Sequence, residues 1–279
     1  MSAPRYAVRR ALPILNMRTH PAALARELLT AYETGEPLRA LPSAADPEFD
    51  MAAAYAVEAE FRRLRVASGR AVTGRKVGYA NKAMWRALKL ETLVWASMYD
   101  DTTHEGPHHG PSALSVDRFM IPRLEPEIVF KLRQPLSGNP DASSALDHVE
   151  WIALGFEIID CPFPSWQFKP SDFVAAYGLH RALVIGEHRP VEAGFLDSLT
   201  AFRLRLYKNG ELIEEGAGRN SLRSPALCLA ELARAAGSLD TGEIVSSGTL
   251  TGPQSIAAGE TWHAEIEGLP LPKLELGFV

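Results

Sequence analysis

Cysteine is nearly missing: the 279-residue chain holds two, Cys161 and Cys228. Two thiols cannot build the disulfide framework of a small secreted domain, nor a cysteine-based zinc site. No run approaches the ~18 consecutive apolar residues that a membrane-spanning helix needs. The opening MSAPRYAVRRALPILNM carries an arginine pair but only a stub of apolar sequence, too short for a secretory signal. Basic charge is not in excess either. The 29 Lys and Arg stand against 34 Asp and Glu, a net of −5, so nothing draws the chain to nucleic acid or an anionic membrane. Internal repeats are absent too. These absences lead us to expect a soluble cytoplasmic protein with neither nucleic acid nor membrane as a partner.

What is there is close to the globular average, with 46% hydrophobic and 23% charged residues. The 20 Pro and 21 Gly exceed the average share and point to many turns, hence more sheet than helix. Two helices open the chain. Residues 20–34 are rich in Ala and Leu, and residues 51–67 put Ala54, Val57, Phe61 and Leu64 on one helical face. Asp50 is the expected N-cap and Gly69 the stop, with a linker over 35–50. GRKVGYA reads as a short strand or turn, and 91–118 as an irregular loop with His108 and His109 in a solvated stretch. IPRLEPEIVFKLRQPL and EWIALGFEII read as strands, and FRLRLYKNGELIEEG as a hairpin turning at Asn209-Gly210. SPALCLAELARAAGS is an amphipathic helix, and three strands close the chain. The fold class is α+β: a helical N-terminal segment over 1–70, then a mostly antiparallel catalytic body over 71–279.

The chemistry concentrates in Arg123-Leu124-Glu125-Pro126-Glu127. Residues two apart on a strand share a face, so Glu125 and Glu127 project together, and two adjacent carboxylates repel unless a cation joins them. Pro126 cannot donate to a ladder, which suggests an edge strand or a bulge. Glu157 lies in the apolar run Ala153-Leu154-Gly155-Phe156-Glu157-Ile158-Ile159 and needs a partner, because an unpaired buried carboxylate is costly. A hard divalent cation with oxygen ligands, Mg²⁺ or Mn²⁺, accounts for all three. The alternative leaves Glu125 and Glu127 on a solvated face and pairs Glu157 with an arginine.

Taken in order, a set of segments resembles the fumarylacetoacetate hydrolase superfamily, and within it the branch of 2-oxopent-4-enoate hydratases and oxalocrotonate decarboxylases. The set comprises Ala54-Tyr55-Ala56-Val57, Gly74-Arg75-Lys76-Val77-Gly78, Met98-Tyr99-Asp100-Asp101, Glu125-Pro126-Glu127 and Glu157-Ile158-Ile159-Asp160. It continues with Gly216-Ala217-Gly218, Leu222, Pro225, then Gly248-Thr249-Leu250-Thr251-Gly252-Pro253 ahead of Gly259-Glu260. The resemblance implies a β-roll body, metal ligation by Glu125, Glu127 and Glu157, a small 2-oxo acid substrate and at least a homodimer. Such an acid can chelate a divalent ion, which then stabilises the enolate. Three carboxylates around that ion leave net negative charge, so a further cation should help hold an anionic substrate. Lys76 matches the family's lysine at the substrate; without its flanking glycines it would read as a solvent-facing lysine. Asp101, with Asp100 as rival, matches an acidic loop position that moves protons or holds a water. Ser221, Thr251 and Gly252 fall in substrate-side segments.

Two segments depart from the branch. Its Asp-Ser-Arg is here Asp160-Cys161-Pro162, and its Ala-Asp-Asn-(Ala/Ser) is Ala175-Ala176-Tyr177-Gly178-Leu179-His180. These changes bear on substrate identity, while Cys161 reads as a small buried hydrophobe. His104, three residues after Asp101, could act as the general base found in the superfamily's carbon–carbon hydrolases, or belong to the solvated loop. The expected activity is a metal-dependent hydratase adding water to a 2-oxo-4-enoic acid of the 2-hydroxypenta-2,4-dienoate type through an enolate. Decarboxylation of a 2-oxo dioic acid, carbon–carbon hydrolysis, and a non-catalytic partner of an active relative are the alternatives.

Overall fold

The computed structural model describes residues 20–106 and 113–279. The expectations for the first 17 residues and for His108 and His109 lie outside the described residues. The helix Pro21–Thr34 and the helix Met51–Ala67 form as the sequence pattern requires, and Asp50 caps the second by accepting from the Ala53 amide. A cap of this kind contributes about 1 kcal/mol. The linker between them adds a single helical turn, Pro42–Ala45.

Among the described residues the strands form a nine-stranded mixed sheet, a five-stranded sheet and a two-stranded pair. The path through the large sheet runs Val94–Tyr99, Val72–Gly78, Ile244–Ser246, Pro122–Leu132, Val149–Asp160, His180–Ile185 and Thr103–Glu105. The smaller sheet contains the Arg203–Lys208/Glu211–Ala217 hairpin, whose turn residues Asn209 and Gly210 have φ 51° and 84°, as a type I′ turn demands. Helix Pro225–Ala236 packs a buried face of Cys228, Leu229, Leu232 and Ala233 into the largest apolar core. A second core joins the two N-terminal helices to Val94, Ala96 and Tyr99 and to Phe173–Leu179. The α+β reading holds, with a helical segment ahead of a curled, mostly antiparallel sheet.

Two expectations are corrected. The stretch 91–118 is not one irregular loop, because Val94–Tyr99 and Thr103–Glu105 are strands of the large sheet. Val94, Ala96, Met98 and Tyr99 are buried by antiparallel pairing with Val72–Gly78, and the turn residues that suggested a loop lie beyond them. Nor is Pro126 on an edge or in a bulge. Its strand pairs continuously with Val149–Asp160 from Pro122 to Lys131. On the other side, Ser246 pairs with Val129 and Gln254 with Leu124, so Pro126 sits where the neighbouring chain leaves the ladder. The missing N–H falls in that gap, and the Pro126 carbonyl accepts from the Leu250 amide at 2.9 Å.

Candidate metal centre

The long central pair of strands determines the site. Glu125 is directly opposite Glu157, and Glu127 follows on the same face beside Gly155. One ligand oxygen from each of the three lies within 4.8 Å of the others. The same face continues into Val129, Ala153, Leu183 and Ile185, which with Met98 and Trp151 make a small apolar cluster. The glutamates therefore stand over a dry floor. Glu127 and Glu157 are fully buried, and Glu125 is the most open of the three.

A buried cation faces them. Lys76 reaches from the adjacent strand Val72–Gly78, 1% exposed, with Nζ 2.9 Å from Glu157 Oε2. Burial lowers its affinity for a proton, but Glu157, Glu125 and Glu127 outweigh that and hold it above the usual lysine value. A single positive charge does not satisfy three carboxylates. Burial, aided by repulsion among the glutamates and only partly offset by Lys76, pushes both Glu125 and Glu127 up to about 8, and burial raises Glu157 as well. Glu127 Oε2 accepts from Ser246 Oγ at 2.5 Å and from the Gly248 amide at 2.8 Å. Its Oε1 is buried with no hydrogen-bond partner. An all-oxygen donor set with excess negative charge and an orphaned oxygen fits a divalent cation.

Lys76 is fixed from behind. Its Nζ donates to the Gly178 carbonyl at 3.0 Å. Tyr177, Gly178 and Leu179 have φ of 60°, 60° and 58°, three successive left-handed residues. Each non-glycine residue held there costs roughly 1–2 kcal/mol, and such strain collects at functional sites. At Gly178 a Cβ would come within 2.8 Å of Lys76 Cδ and 3.0 Å of Ala96 Cβ. The glycine is therefore required by both its backbone and its neighbours.

The turn delivers His180 onto Glu157. His180 Nδ1 lies 2.9 Å from Glu157 Oε1 and its Nε2 lies 3.0 Å from Thr102 Oγ1. Burial, then the charge of Lys76, pushes the imidazole well below its usual value, so it is neutral at pH 7. Thr102 and His180 also line a cavity of about 330 Å³, together with Arg65, Asp101, His104 and Tyr177. The Asp101 carboxylate is held by Arg65 and by Arg70, the latter at 3.2 Å. Asp100 is exposed, and its Oδ1 accepts from the Ala71 amide. His104 is half-buried, and burial, only partly opposed by Asp101, keeps its ring below the usual histidine value.

The other expected residues are more scattered. Ser221 Oγ donates to the Ser247 carbonyl at 2.6 Å and lies on the Glu127 flank, beside Gly248. Thr251 and Gly252 belong to the turn after Gly248, where Thr251 Oγ1 donates to the Gly252 carbonyl and the Gly252 amide donates to Glu214. The structure thus gathers Glu125, Glu127, Glu157 and Lys76, puts Asp101 and His104 on the cavity, and anchors Thr251 and Gly252 to Glu214. Thr102, Gly178, His180 and Ser246 were not expected. A histidine opening an apolar strand, His180-Arg181-Ala182-Leu183-Val184-Ile185, was the one available signal. Cys161 is buried and its thiol is pushed up to about 11 by burial, which suits packing and not nucleophilic attack.

Comparison with known proteins assigns the family and the fold. Residues 84–275 match the model of the fumarylacetoacetate (FAA) hydrolase C-terminal family. The chain belongs to the fumarylacetoacetate hydrolase family. Within that family, the 2-oxo-hept-4-ene-1,7-dioate hydratase of Escherichia coli is 29% identical over 90% of this chain and 96% of its own length. The 2-keto-4-pentenoate hydratase of Paraburkholderia phymatum is 30% identical over 89% of this chain and 93% of its own. The fold matches 4-oxalocrotonate decarboxylase from Pseudomonas putida G7, solved with magnesium and adipate, at a TM-score of 0.85 and 23% identity. That match covers 97% of this chain and all of that one, 100%. Among the described residues, no helix is long and apolar enough to cross a membrane.

Proposed function

We propose that this chain is a divalent-metal-dependent hydratase that adds water to a small 2-oxo-4-enoic acid. The observation that carries the reading is the buried cage of Glu125, Glu127 and Glu157, with its orphaned Glu127 oxygen and facing cation, Lys76. Relatives named as hydratases, matched over nearly their whole length, support it. Mg²⁺ or Mn²⁺ is the ion of this reading. When bound, it supplies positive charge to a chelating 2-oxo carboxylate and lowers the cost of the enolate.

The chain's own residues provide the rest. Lys76 stays charged and, pinned between Glu157 and the Gly178 carbonyl, keeps its ammonium beside the anionic end of the substrate. Asp101, ion-paired to Arg65 and Arg70, orients a water or moves a proton at the cavity wall. His104, neutral on the same wall, can take a proton from attacking water. The hydroxyl goes to C4, the alkene carbon nearer the oxo group, and the proton to C5. Ser221, Thr251 and Gly252 make the substrate side of the Glu127 flank. A homo-oligomer, at least a dimer, belongs to the same reading.

The test is turnover of 2-hydroxypenta-2,4-dienoate, with products identified. Water uptake giving a 4-hydroxy-2-oxo acid, lost on chelation and restored by Mg²⁺ or Mn²⁺, is the expected result. Glu157→Ala should abolish it while the far-UV circular dichroism is unchanged. Activity that survives thorough metal removal would overturn the reading. A relative named 4-oxalocrotonate decarboxylase, 27% identical over 76% of this chain, favours a second reading, decarboxylation of a 2-oxo dioic acid. Carbon dioxide release would mark that activity. Cleavage into two acids would mark a carbon–carbon hydrolase, and metal binding with no turnover a non-catalytic partner.

A further inference from the structure

His180 is fully buried, and both ring nitrogens have side-chain partners, Glu157 Oε1 at 2.9 Å and Thr102 Oγ1 at 3.0 Å. An ionised Glu157 can only accept, so the Nδ1 facing it carries the hydrogen. Thr102 Oγ1 meets Nε2 and also accepts from the Tyr99 amide at 3.2 Å, with the Tyr99 carbonyl at 3.2 Å as a further acceptor for its hydroxyl. The ring is further bracketed by Tyr177, edge-on with centroids 5.4 Å apart.

The ring acts on one oxygen of Glu157. With Oε1 taken by His180, the remaining oxygen, Oε2, is the one beside Lys76 on the cage side. A glutamate without such a partner rotates about its last torsion, which is broad and weakly restricted. We propose that His180, buttressed by Thr102, is a positioning residue that presents Glu157 to the divalent ion. Thr102 also faces the cavity, so the pair links the wall of that cavity to the geometry of the cage. The inference rests on the reading of Glu125, Glu127 and Glu157 as the metal cage.

Titration calorimetry with Mn²⁺ on the full-length chain tests it without recourse to activity. His180→Phe fills the space but removes both hydrogen bonds, and should weaken Mn²⁺ binding about 10- to 100-fold, the usual loss for a group that orients a metal ligand. His180→Asn keeps a donor where Nδ1 stands and should recover most of the affinity. Thr102→Val should give a smaller loss in the same direction, and should add nothing in the His180→Phe background. Mn²⁺ affinity unchanged in His180→Phe and Thr102→Val overturns the assignment. If His180→Phe does not fold, Thr102→Val alone decides: weaker binding supports the pair and unchanged binding removes it. A wild-type chain that binds no Mn²⁺ fails in a distinguishable way, overturning the cage itself and this inference with it.

Discussion

Asp160 and Glu127 are both fully buried carboxylates on the paired central strands, and the chain treats them in opposite ways. Asp160 sits at the end of its strand, where its oxygens accept from the Met120 amide at 2.9 and 3.0 Å and from the Ile121 amide at 2.8 Å. Burial raises its pKa, and those two amides pull it back. Glu127 receives Ser246 and Gly248 on one oxygen and nothing on the other, and burial beside Glu157 drives it to about 8. A buried carboxylate satisfied by backbone amides anchors a loop. One left half-satisfied among other carboxylates costs stability, a cost that a bound cation would relieve.

The most severe break of this contrast is Glu127→Gln. Replacing a repelled carboxylate by a neutral amide should abolish Mn²⁺ binding and turnover, yet leave the metal-free protein as stable as the parent or more so. Calorimetry and thermal melts read the two outcomes separately, and a melt that falls with the binding would remove the contrast. Gly178→Ala comes next. It should destabilise by about 2–3 kcal/mol, through left-handed backbone cost and contact with the Lys76 stem, and lower turnover because the ammonium is displaced. Denaturant melts and a kcat measurement check it. Asp160→Asn should cost about 1–3 kcal/mol by turning a donor toward the Met120 and Ile121 amides, while leaving Mn²⁺ affinity unchanged. Weakened metal binding in that variant would show the two carboxylates to be coupled.

A pH dependence of stability also follows from the crowded carboxylates. Glu125 and Glu127, raised to about 8, bind protons in the folded metal-free chain that the unfolded chain has already released above the ordinary carboxylate range. Their contribution is fully present below about pH 4.5 and is lost as pH rises through about 8. The metal-free Tm should therefore fall by a few degrees between pH 5 and pH 8.5. Saturating Mn²⁺ should reverse the slope, because the ion binds the deprotonated cage. A metal-free Tm that rises over this interval would contradict the crowding of the carboxylates.

Much of this was legible in the residues. The period-2 placement of Glu125 and Glu127, the apolar run around Glu157 and the Asn209-Gly210 turn are local patterns, and local patterns determine which face a side chain takes and where the chain reverses. Pro126 was misjudged because the gap it occupies is made by a segment more than a hundred residues away, where the chain leaves the ladder between Ser246 and Gln254. Val94–Tyr99 was absorbed into a loop because its burial depends on Val72–Gly78, not on its own composition. His180 and Thr102, 78 positions apart, meet through two strands and a left-handed turn whose geometry no short window encodes.

By itself, then, the sequence determined the fold class and the shared face of Glu125 and Glu127, because these rest on residue type and near-neighbour spacing; the resemblance to the family joined Glu157 and Lys76 to them. Only the tertiary structure decided which oxygen of each glutamate is spoken for. It also made Gly178 a support for Lys76, and it set Asp101 between two arginines on a cavity wall. The reason is physical: hydrogen bonds are short and directional, so whether a buried carboxylate is satisfied depends on atoms that long-range packing brings within 3 Å.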